Sequence, residues 1–362
     1  MTRLSEGQAV QLCRGTDLHD LGRRAQAETN RRHRERVRTY IVDRNVNYTN
    51  VCRSACAFCN FSRPPGHEEA YVLSEDELFA KVDELVALGG RQILLQGGLH
   101  PDLPFEWYLQ MLRALKRHTP DLHVHGFSPP EIVHFAKLFG KSIRQVIVEL
   151  VEAGLDTLPG GGAEILVDRV RETISPGKCT ADEWLDVMSQ AHRLGVRTTA
   201  TMMFGHIETI EDRIEHLSRL RRLQDRTHGF TAFICWTFQP RGTRLAREFT
   251  LAPASVQDYL RMLAVSRLFL DNFDNLQASW VTQGPAIGQL ALEFGANDFG
   301  SLMLEENVVA SAGTRYHLRE RQLRTLIEQA GYVPARRNCL YQILDPQPQA
   351  SGSLRSSAAK PS

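Results

Sequence analysis

Residues 40–60 read YIVDRNVNYTNVCRSACAFCN, a strand-like run that passes directly into a loop with three cysteines. Cys52, Cys56 and Cys59 follow the spacing Cys-x3-Cys-x2-Cys, and the aromatic Phe58 precedes the third. Soft thiolates suit iron–sulfur chemistry. Three of them can hold three irons of a 4Fe–4S cluster, which leaves the fourth iron open to a small molecule. The stretch therefore predicts a first strand with a metal centre at its end.

From residue 40 onward, strand-like runs alternate with helical patterns. Ser74 with Glu77 and Thr180 with Glu183 are capping boxes, which begin helices because each side chain satisfies an amide that the first turn leaves free. Six strand–helix repeats indicate an α/β fold with a parallel sheet that curves toward a barrel. The predicted strands are Tyr40–Asn47, Arg91–Gln96, Leu122–Ser128, Leu155–Pro159, Val196–Met203 and Phe230–Phe238.

The pattern divides the chain into four parts. We expect residues 1–36 to form a helical cap and residues 37–275 the (β/α)6 core. Residues 276–345 would form an α+β extension that closes the barrel and contains the strand-like Gln277–Thr282. Residues 346–362 lack apolar periodicity and predict a disordered tail.

Composition narrows the class of protein. The 362 residues are 42% hydrophobic, and a formal net charge of +1 predicts no general affinity for nucleic acid or anionic lipid. No apolar run is long enough for a membrane span, so no membrane association is expected. The cysteines are odd in number and mostly scattered, which makes a poor disulfide framework. We therefore predict a protein of the reducing cytoplasm.

A zinc site on the same cysteines would need a fourth ligand, for which His67 is the nearest candidate. Structural zinc loops usually supply cysteines in two pairs, and this spacing is an unusual start for one. The cysteines also follow the first predicted barrel strand, and barrel active sites lie at the carboxyl ends of strands. These points favour a cluster, with a zinc-binding interaction module as the alternative.

Other motifs follow later strands. Gly97-Gly98 comes after the second strand, Ser128 ends the third, and Gly160-Gly161-Gly162 precedes Glu164 after the fourth. Glycine permits a close main-chain approach that a Cβ would block. The alternatives are a tight turn for the glycine pair and a helix cap for Ser128.

Together with the cysteine loop, Gln96-Gly-Gly98, Leu158-Pro-Gly-Gly-Gly-Ala-Glu164 and Thr199-Ala-Thr-Met-Met-Phe-Gly-His206 resemble the radical S-adenosylmethionine (radical SAM) superfamily. The resemblance implies a (β/α)6 partial TIM barrel, a 4Fe–4S cluster on the three cysteines, SAM at the open iron, and flavodoxin or ferredoxin as electron donor. It also implies the cofactor contacts Phe58, Gly97, Gly98, Ser128, Glu164 and Arg171.

Finer motifs, among them Arg63-Pro-Pro-Gly-His67 and Gly295-Ala-Asn-Asp298, are similar to the superfamily branch that serves the futalosine route to menaquinone. This resemblance implies dehypoxanthine futalosine as substrate: a 5′-deoxyadenosyl radical takes hydrogen from ribose carbon 4′, and the ribose radical closes onto the benzoate ring. Aminofutalosine synthase and the enzymes that build the deazaflavin chromophore of coenzyme F420 share most motifs and remain alternatives.

The resemblance implies that this ring closure ends with loss of an electron and a proton, and the proton needs an acceptor. His206, Glu131 and Asp298 are the candidate catalytic residues, and histidine suits the role because its pKa lies near neutrality. His206 could instead satisfy a loop carbonyl. Less specific candidates are Glu305 and Glu306 as acceptors, Trp236, Trp280 and Phe238 as walls for an aromatic substrate, and Arg241 and Arg244 as carboxylate or surface groups.

Overall fold

The structure, a computed structural model, describes residues 3–33, 35–313 and 316–344. The predicted disordered tail, residues 346–362, lies outside the described residues. No described helix is both long enough and apolar enough to cross a membrane.

The strands, in chain order, are β1 (Val37–Ile41), β2 (Asp43–Asn47), β3 (Gln92–Gln96), β4 (His123–Gly126), β5 (Thr198–Phe204), β6 (Phe230–Thr237), β7 (Asn275–Gln277), β8 (Asp298–Ser301) and β9 (Val333–Arg336). The helices are α1 (Glu6–Gly15), α2 (Leu18–Arg32), α3 (Glu75–Ala87), α4 (Phe105–His118), α5 (Pro129–Leu138), α6 (Ile143–Ala153), α7 (Asp168–Ile174), α8 (Ala181–Arg193), α9 (Ile210–Thr227), α10 (Arg244–Phe249), α11 (Val256–Phe269), α12 (Trp280–Gln283), α13 (Pro285–Ala291) and α14 (Glu320–Gln329).

The parallel strands follow one another around a ring. β1 and β2 are two halves of one strand, interrupted at Val42. β2 pairs with β3 and β3 with β4, while β5, β6, β7 and β8 pair in sequence and β8 returns to β1. Two isolated bridges, His125 to Thr157 and Leu158 to Thr198, join β4 to β5. The predicted α/β barrel is confirmed, and β7 and β8 complete its ring.

Two predicted strands differ most from the structure. Leu155–Pro159 forms only those two bridges, because Pro159 cannot donate to a ladder and a glycine triplet follows. The strand predicted over Gln277–Thr282 was wrong beyond Gln277, because the chain turns into α12 there. The Ser279 amide there donates to the Tyr259 hydroxyl at 2.8 Å and leaves the strand ladder.

The helices pack around this ring, and two of them begin at the capping boxes predicted from the sequence. Ser74 and Thr180 form the expected capping boxes at the starts of α3 and α8. Of the apolar face of α3, Leu78, Val82 and Leu85 are buried. α2 lies near the amino ends of the last barrel strands, since Thr29 Oγ1 donates to the Gly295 carbonyl at 2.9 Å. This packing leaves the carboxyl ends of the strands for the cysteine loop.

Candidate active site

The barrel encloses a cavity of about 400 Å³. Side chains alternate along a strand, so every second residue faces the interior. Barrel interiors of this type are usually filled by branched apolar side chains. Here most of the inward side chains are polar, and they leave a chamber open toward the cysteine loop. The strand residues that line it include Asp43, Asn45, Asn47, Gln92, Leu94, Gln96, His125, Thr199, Thr201, Ile234, Trp236, Gln277 and Ser301.

All three cysteines of the loop line this cavity, and none is in a disulfide. The Ser54 hydroxyl lies between two of them, 3.2 Å from Cys52 Sγ and 3.1 Å from Cys56 Sγ. The loop is anchored on both sides: Cys52 N donates to Arg63 O at 2.9 Å, and Ala57 N donates to Ile174 O at 2.8 Å. The loop therefore presents its sulfurs at the mouth of the barrel.

A single-ion site does not form in the part of the chain that the structure describes, where no three His, Cys, Asp or Glu side chains converge on one point. The zinc candidate His67 is exposed, and its Nδ1 accepts from Glu69 N at 3.1 Å. A cubane cluster differs from a single ion because each thiolate binds a different iron. The three free, cavity-lining sulfurs fit such a cluster better than a zinc ion.

The glycine pair is required by close packing. A Cβ on Gly98 would lie 2.1 Å from the Val51 carbonyl oxygen, and one on Gly97 would lie 2.4 Å from the Tyr48 ring. No side chain fits at either position without moving the cysteine loop or a buried aromatic ring. The main chain at both glycines therefore lines the cavity directly, as a cofactor contact there would need.

Glu131 reaches the same place from α5. Its Oε1 accepts from the Tyr48 hydroxyl at 2.6 Å and from Gly97 N at 3.1 Å, and its Oε2 accepts from both N and Oγ of Ser128. Burial raises the pKa of Glu131, and these donors act against that rise. The carboxylate thus ties three neighbouring strand ends together, and its lone pairs are already engaged. Ser128 is the predicted helix cap and also lines the cavity.

Glu164 faces the cysteines from the turn after the glycine triplet, with a left-handed φ of 40°. Lys178 Nζ donates to its Oε1 at 2.6 Å, and Oε2 is buried without a hydrogen-bond partner in the described part of the chain. Burial acts to lower the pKa of Lys178, but Cys56 and Glu164 outweigh it and raise that pKa. Lys178 Nζ also lies 5.1 Å from the centre of the Phe58 ring. The unpaired Glu164 oxygen is suited to a hydroxyl or amino group of a bound cofactor.

Lys178 was missed from the sequence, although a signal existed. It follows Pro176-Gly177, and a Cβ on Gly177 would lie 2.6 Å from the Ser54 main chain. The Pro-Gly turn therefore packs directly on the cysteine loop and brings the lysine to the cavity.

Arg171, predicted as a cofactor contact, lies behind the glycine turn. Its guanidinium donates to the carbonyls of Gly162, Ala163 and Cys179 and so supports the turn from outside the cavity. The buried cation that lines the cavity beside the cysteines is instead Lys178.

Two of the predicted proton acceptors are held by other protein groups. His206 Nδ1 lies 2.9 Å from Glu208 Oε2, and its Nε2 lies 3.2 Å from Met203 O, a main-chain carbonyl of β5 and not of a loop. Burial acts to raise the pKa of Glu208, yet His206 and a nearby arginine lower it to about 2. Asp298 is paired with Arg337, whose Nη2 donates to its Oδ1 at 2.9 Å. Of the three candidates, Glu131 is the one that lines the cavity.

The less specific candidates also divide into residues that line the cavity and residues that do not. Trp236, Trp280 and Glu306 line the cavity, and Trp280 Nε1 donates to Ser301 O at 2.9 Å. The others lie elsewhere: Phe238 is buried beside His206, Glu305 is paired with Lys81 and Arg44, and Arg241 and Arg244 are exposed.

Comparison with known proteins agrees with this site. Residues 46–220 match the model of the radical SAM superfamily, and residues 227–350 match the CofH/MqnC C-terminal region. The cyclic dehypoxanthine futalosine synthase of Halalkalibacterium halodurans is 44% identical over 342 residues, which cover 94% of this chain and 92% of that protein. This chain belongs to the radical SAM superfamily.

Two further proteins are similar to this chain. The aminodeoxyfutalosine synthase of Thermus thermophilus is 42% identical over 94% of this chain and 92% of its own length. Among solved structures, methylornithine synthase (PylB) has a TM-score of 0.71 at 17% identity, covering 92% of this chain and 95% of that one. The likeness to that structure supports the barrel fold. Membership of this superfamily implies a 4Fe–4S cluster and SAM as cofactors.

Proposed function

We propose that this protein cyclises dehypoxanthine futalosine in the futalosine route to menaquinone. The observation that carries the proposal is a polar barrel chamber whose mouth is formed by Cys52, Cys56 and Cys59. The identity of 44% to a cyclic dehypoxanthine futalosine synthase, over nearly the whole chain, supports that choice of substrate.

The described residues at the mouth of the chamber would form the cofactor pocket. When bound, the cluster and SAM would supply a 5′-deoxyadenosyl radical. Phe58, the Gly97-Gly98 main chain and the Glu164 carboxylate would hold SAM. Lys178, the buried cation between the cysteines and Glu164, would neutralise a carboxylate there. Ser128 and Glu131 would act through the glycine pair by fixing its position.

The substrate would lie deeper in the chamber, where inward side chains would orient it and exclude water. Trp236 and Trp280 offer flat surfaces for the benzoate ring. An electron is needed to start the reaction, and flavodoxin or ferredoxin remains the predicted donor.

The test is substrate-dependent cleavage of SAM. Anaerobically reconstituted protein is incubated with SAM, a reductant and either dehypoxanthine futalosine or L-tyrosine, and 5′-deoxyadenosine and products are quantified. We expect 5′-deoxyadenosine and a cyclised product with dehypoxanthine futalosine. Cleavage with L-tyrosine alone would favour a deazaflavin-type reaction, and zinc without iron or acid-labile sulfide would favour the zinc module.

Aminodeoxyfutalosine synthesis is the second candidate, since a synthase of that name is nearly as similar over the same share of the chain. That reaction adds the radical to an enolpyruvyl group. The corresponding enolpyruvyl substrate is therefore included as a third arm of the test.

A further inference from the structure

We infer that Asn45 and Gln92 form a subsite for sugar hydroxyls on the wall of the chamber made by β2 and β3. The inference rests on the proposed function and names the part of the substrate that this wall binds. The two strands pair in parallel, with Asp43 opposite Gln92 and Asn45 opposite Leu94. Asn45 and Gln92 therefore lie one pleat apart on the same inward face, and both line the cavity.

Both side chains carry a polar atom without a partner. Asn45 is 5% exposed and Gln92 is 7% exposed. In the described part of the chain, Asn45 Oδ1 and Gln92 Oε1 are buried and accept no hydrogen bond. Buried polar atoms in folded proteins are nearly always paired, so two unpaired acceptors side by side indicate donors that a ligand brings.

Asp43 fixes the orientation of Gln92. Its Oδ2 accepts from Gln92 Nε2 at 3.3 Å, so the amide nitrogen is turned toward the carboxylate and Oε1 is turned away. The other oxygen of Asp43 accepts from the Ser301 hydroxyl. A rotated Gln92 amide would bring two oxygens together beside an ionised carboxylate. The arrangement therefore presents Gln92 as an acceptor.

The charge around this wall selects the class of ligand. An anionic group here would face Asp43, while a cationic group would find that carboxylate already bonded to Ser301 and Gln92. Neutral groups that donate hydrogen bonds fit best, and hydroxyls also accept from an amide N–H. The ribose of the proposed substrate carries such hydroxyls.

The depth of Asn45 in the chamber is also suitable for binding a sugar group. Asn45 lies two residues before Asn47, which pairs with Gln96 beside the glycine pair. At about 3.3 Å per residue, Asn45 lies roughly 10 Å below the level of Gly97, in the pair Gly97-Gly98 that forms the cofactor cradle. A sugar held there would lie deeper in the chamber than the glycine pair.

The experiment is a cycle that removes groups from both partners. Binding of dehypoxanthine futalosine and of its 2′,3′-dideoxy analogue to the reconstituted protein, without reductant, is measured by calorimetry for wild type, Asn45→Leu and Gln92→Met. Gln110→Met, the same change of an amide to an apolar side chain on the exposed surface of α4, is the control. We expect each amide variant to bind the parent ligand about tenfold more weakly and to lose less affinity than wild type when the hydroxyls are removed.

Two outcomes overturn the inference. If wild type binds the dideoxy analogue as tightly as the parent, the hydroxyls are not recognised, and this arm needs no variant to fold. If the amide variants, shown to be folded by thermal melting, lose as much affinity as wild type on hydroxyl removal, the hydroxyls bind elsewhere. In either case turnover of dehypoxanthine futalosine by reconstituted wild type would leave the proposed function standing. Absence of both binding and turnover would overturn the two together.

Discussion

Replacing Tyr48 by phenylalanine should weaken the contacts that position the Gly97-Gly98 main chain without opening a cavity. The Tyr48 hydroxyl donates to Glu131 at 2.6 Å, and its ring packs against Gly97, where an added Cβ would lie 2.4 Å away. A hydrogen bond to a charged group contributes about 1.5–3 kcal/mol, so we expect Tyr48→Phe to lower the free energy of unfolding by about 2 kcal/mol. Because Glu131 also holds Gly97 N, part of that loss should appear as weaker SAM binding.

The assay combines urea unfolding of cluster-free protein with the SAM dependence of 5′-deoxyadenosine formation by the reconstituted enzyme. We expect KM for SAM to rise up to about tenfold while kcat changes little, since 1.4 kcal/mol corresponds to a factor of ten. Tyr108→Phe is the matched control. Its ring lies 5.8 Å from that of Tyr48, but its hydroxyl is buried without a partner among the described residues, so its removal should not destabilise. Equal stability and equal KM for Tyr48→Phe and wild type would refute the positioning role of Glu131.

Three further predictions concern the same chamber. Gly98→Ala should displace the cysteine loop, because its Cβ would lie 2.1 Å from a main-chain oxygen, and the iron content after reconstitution should fall. Gly7→Ala is the control: no atom lies near the added Cβ, so its iron content should equal that of wild type. Lys178→Met should lower the free energy of unfolding by about 3–5 kcal/mol, because Glu164 would be left buried and charged, and adding Glu164→Gln should restore part of it in a denaturant titration. Asp43→Asn should flatten the pH dependence of unfolding, because burial raises the pKa of Asp43 from 3.8 to about 6. As pH rises through that window, the free energy of unfolding of wild type should fall by about 3 kcal/mol relative to the variant. Parallel curves of unfolding free energy against pH would contradict this.

The fold was largely predictable because its signals are local. Capping boxes at Ser74 and Thr180 depend on residues three positions apart, and the structure forms both. The ring closure was harder to predict in detail. β7 and β8 have three and four residues, too few for a periodic pattern, and they are recognised as strands only through their partners in the ring.

The cysteine loop was predictable for the same reason, since its spacing is contained in eight residues, whereas charged side chains were not. Glu131 and Arg171 follow predicted strand ends and Asp298 begins β8, yet each bonds to groups that are distant along the chain or behind a turn. Lys178 lies after a helix and reaches the cavity because a Pro-Gly turn packs on the loop. Partners of this kind are set by tertiary packing, which no single-sequence pattern records.

The join between β8 and β1 has a consequence for biosynthesis. Thr39 and Asp298 meet there although they are 259 positions apart, so this seam forms only after most of the polypeptide has left the ribosome. Contacts of such long range form slowly. We therefore expect closure of this seam to be among the last steps of folding.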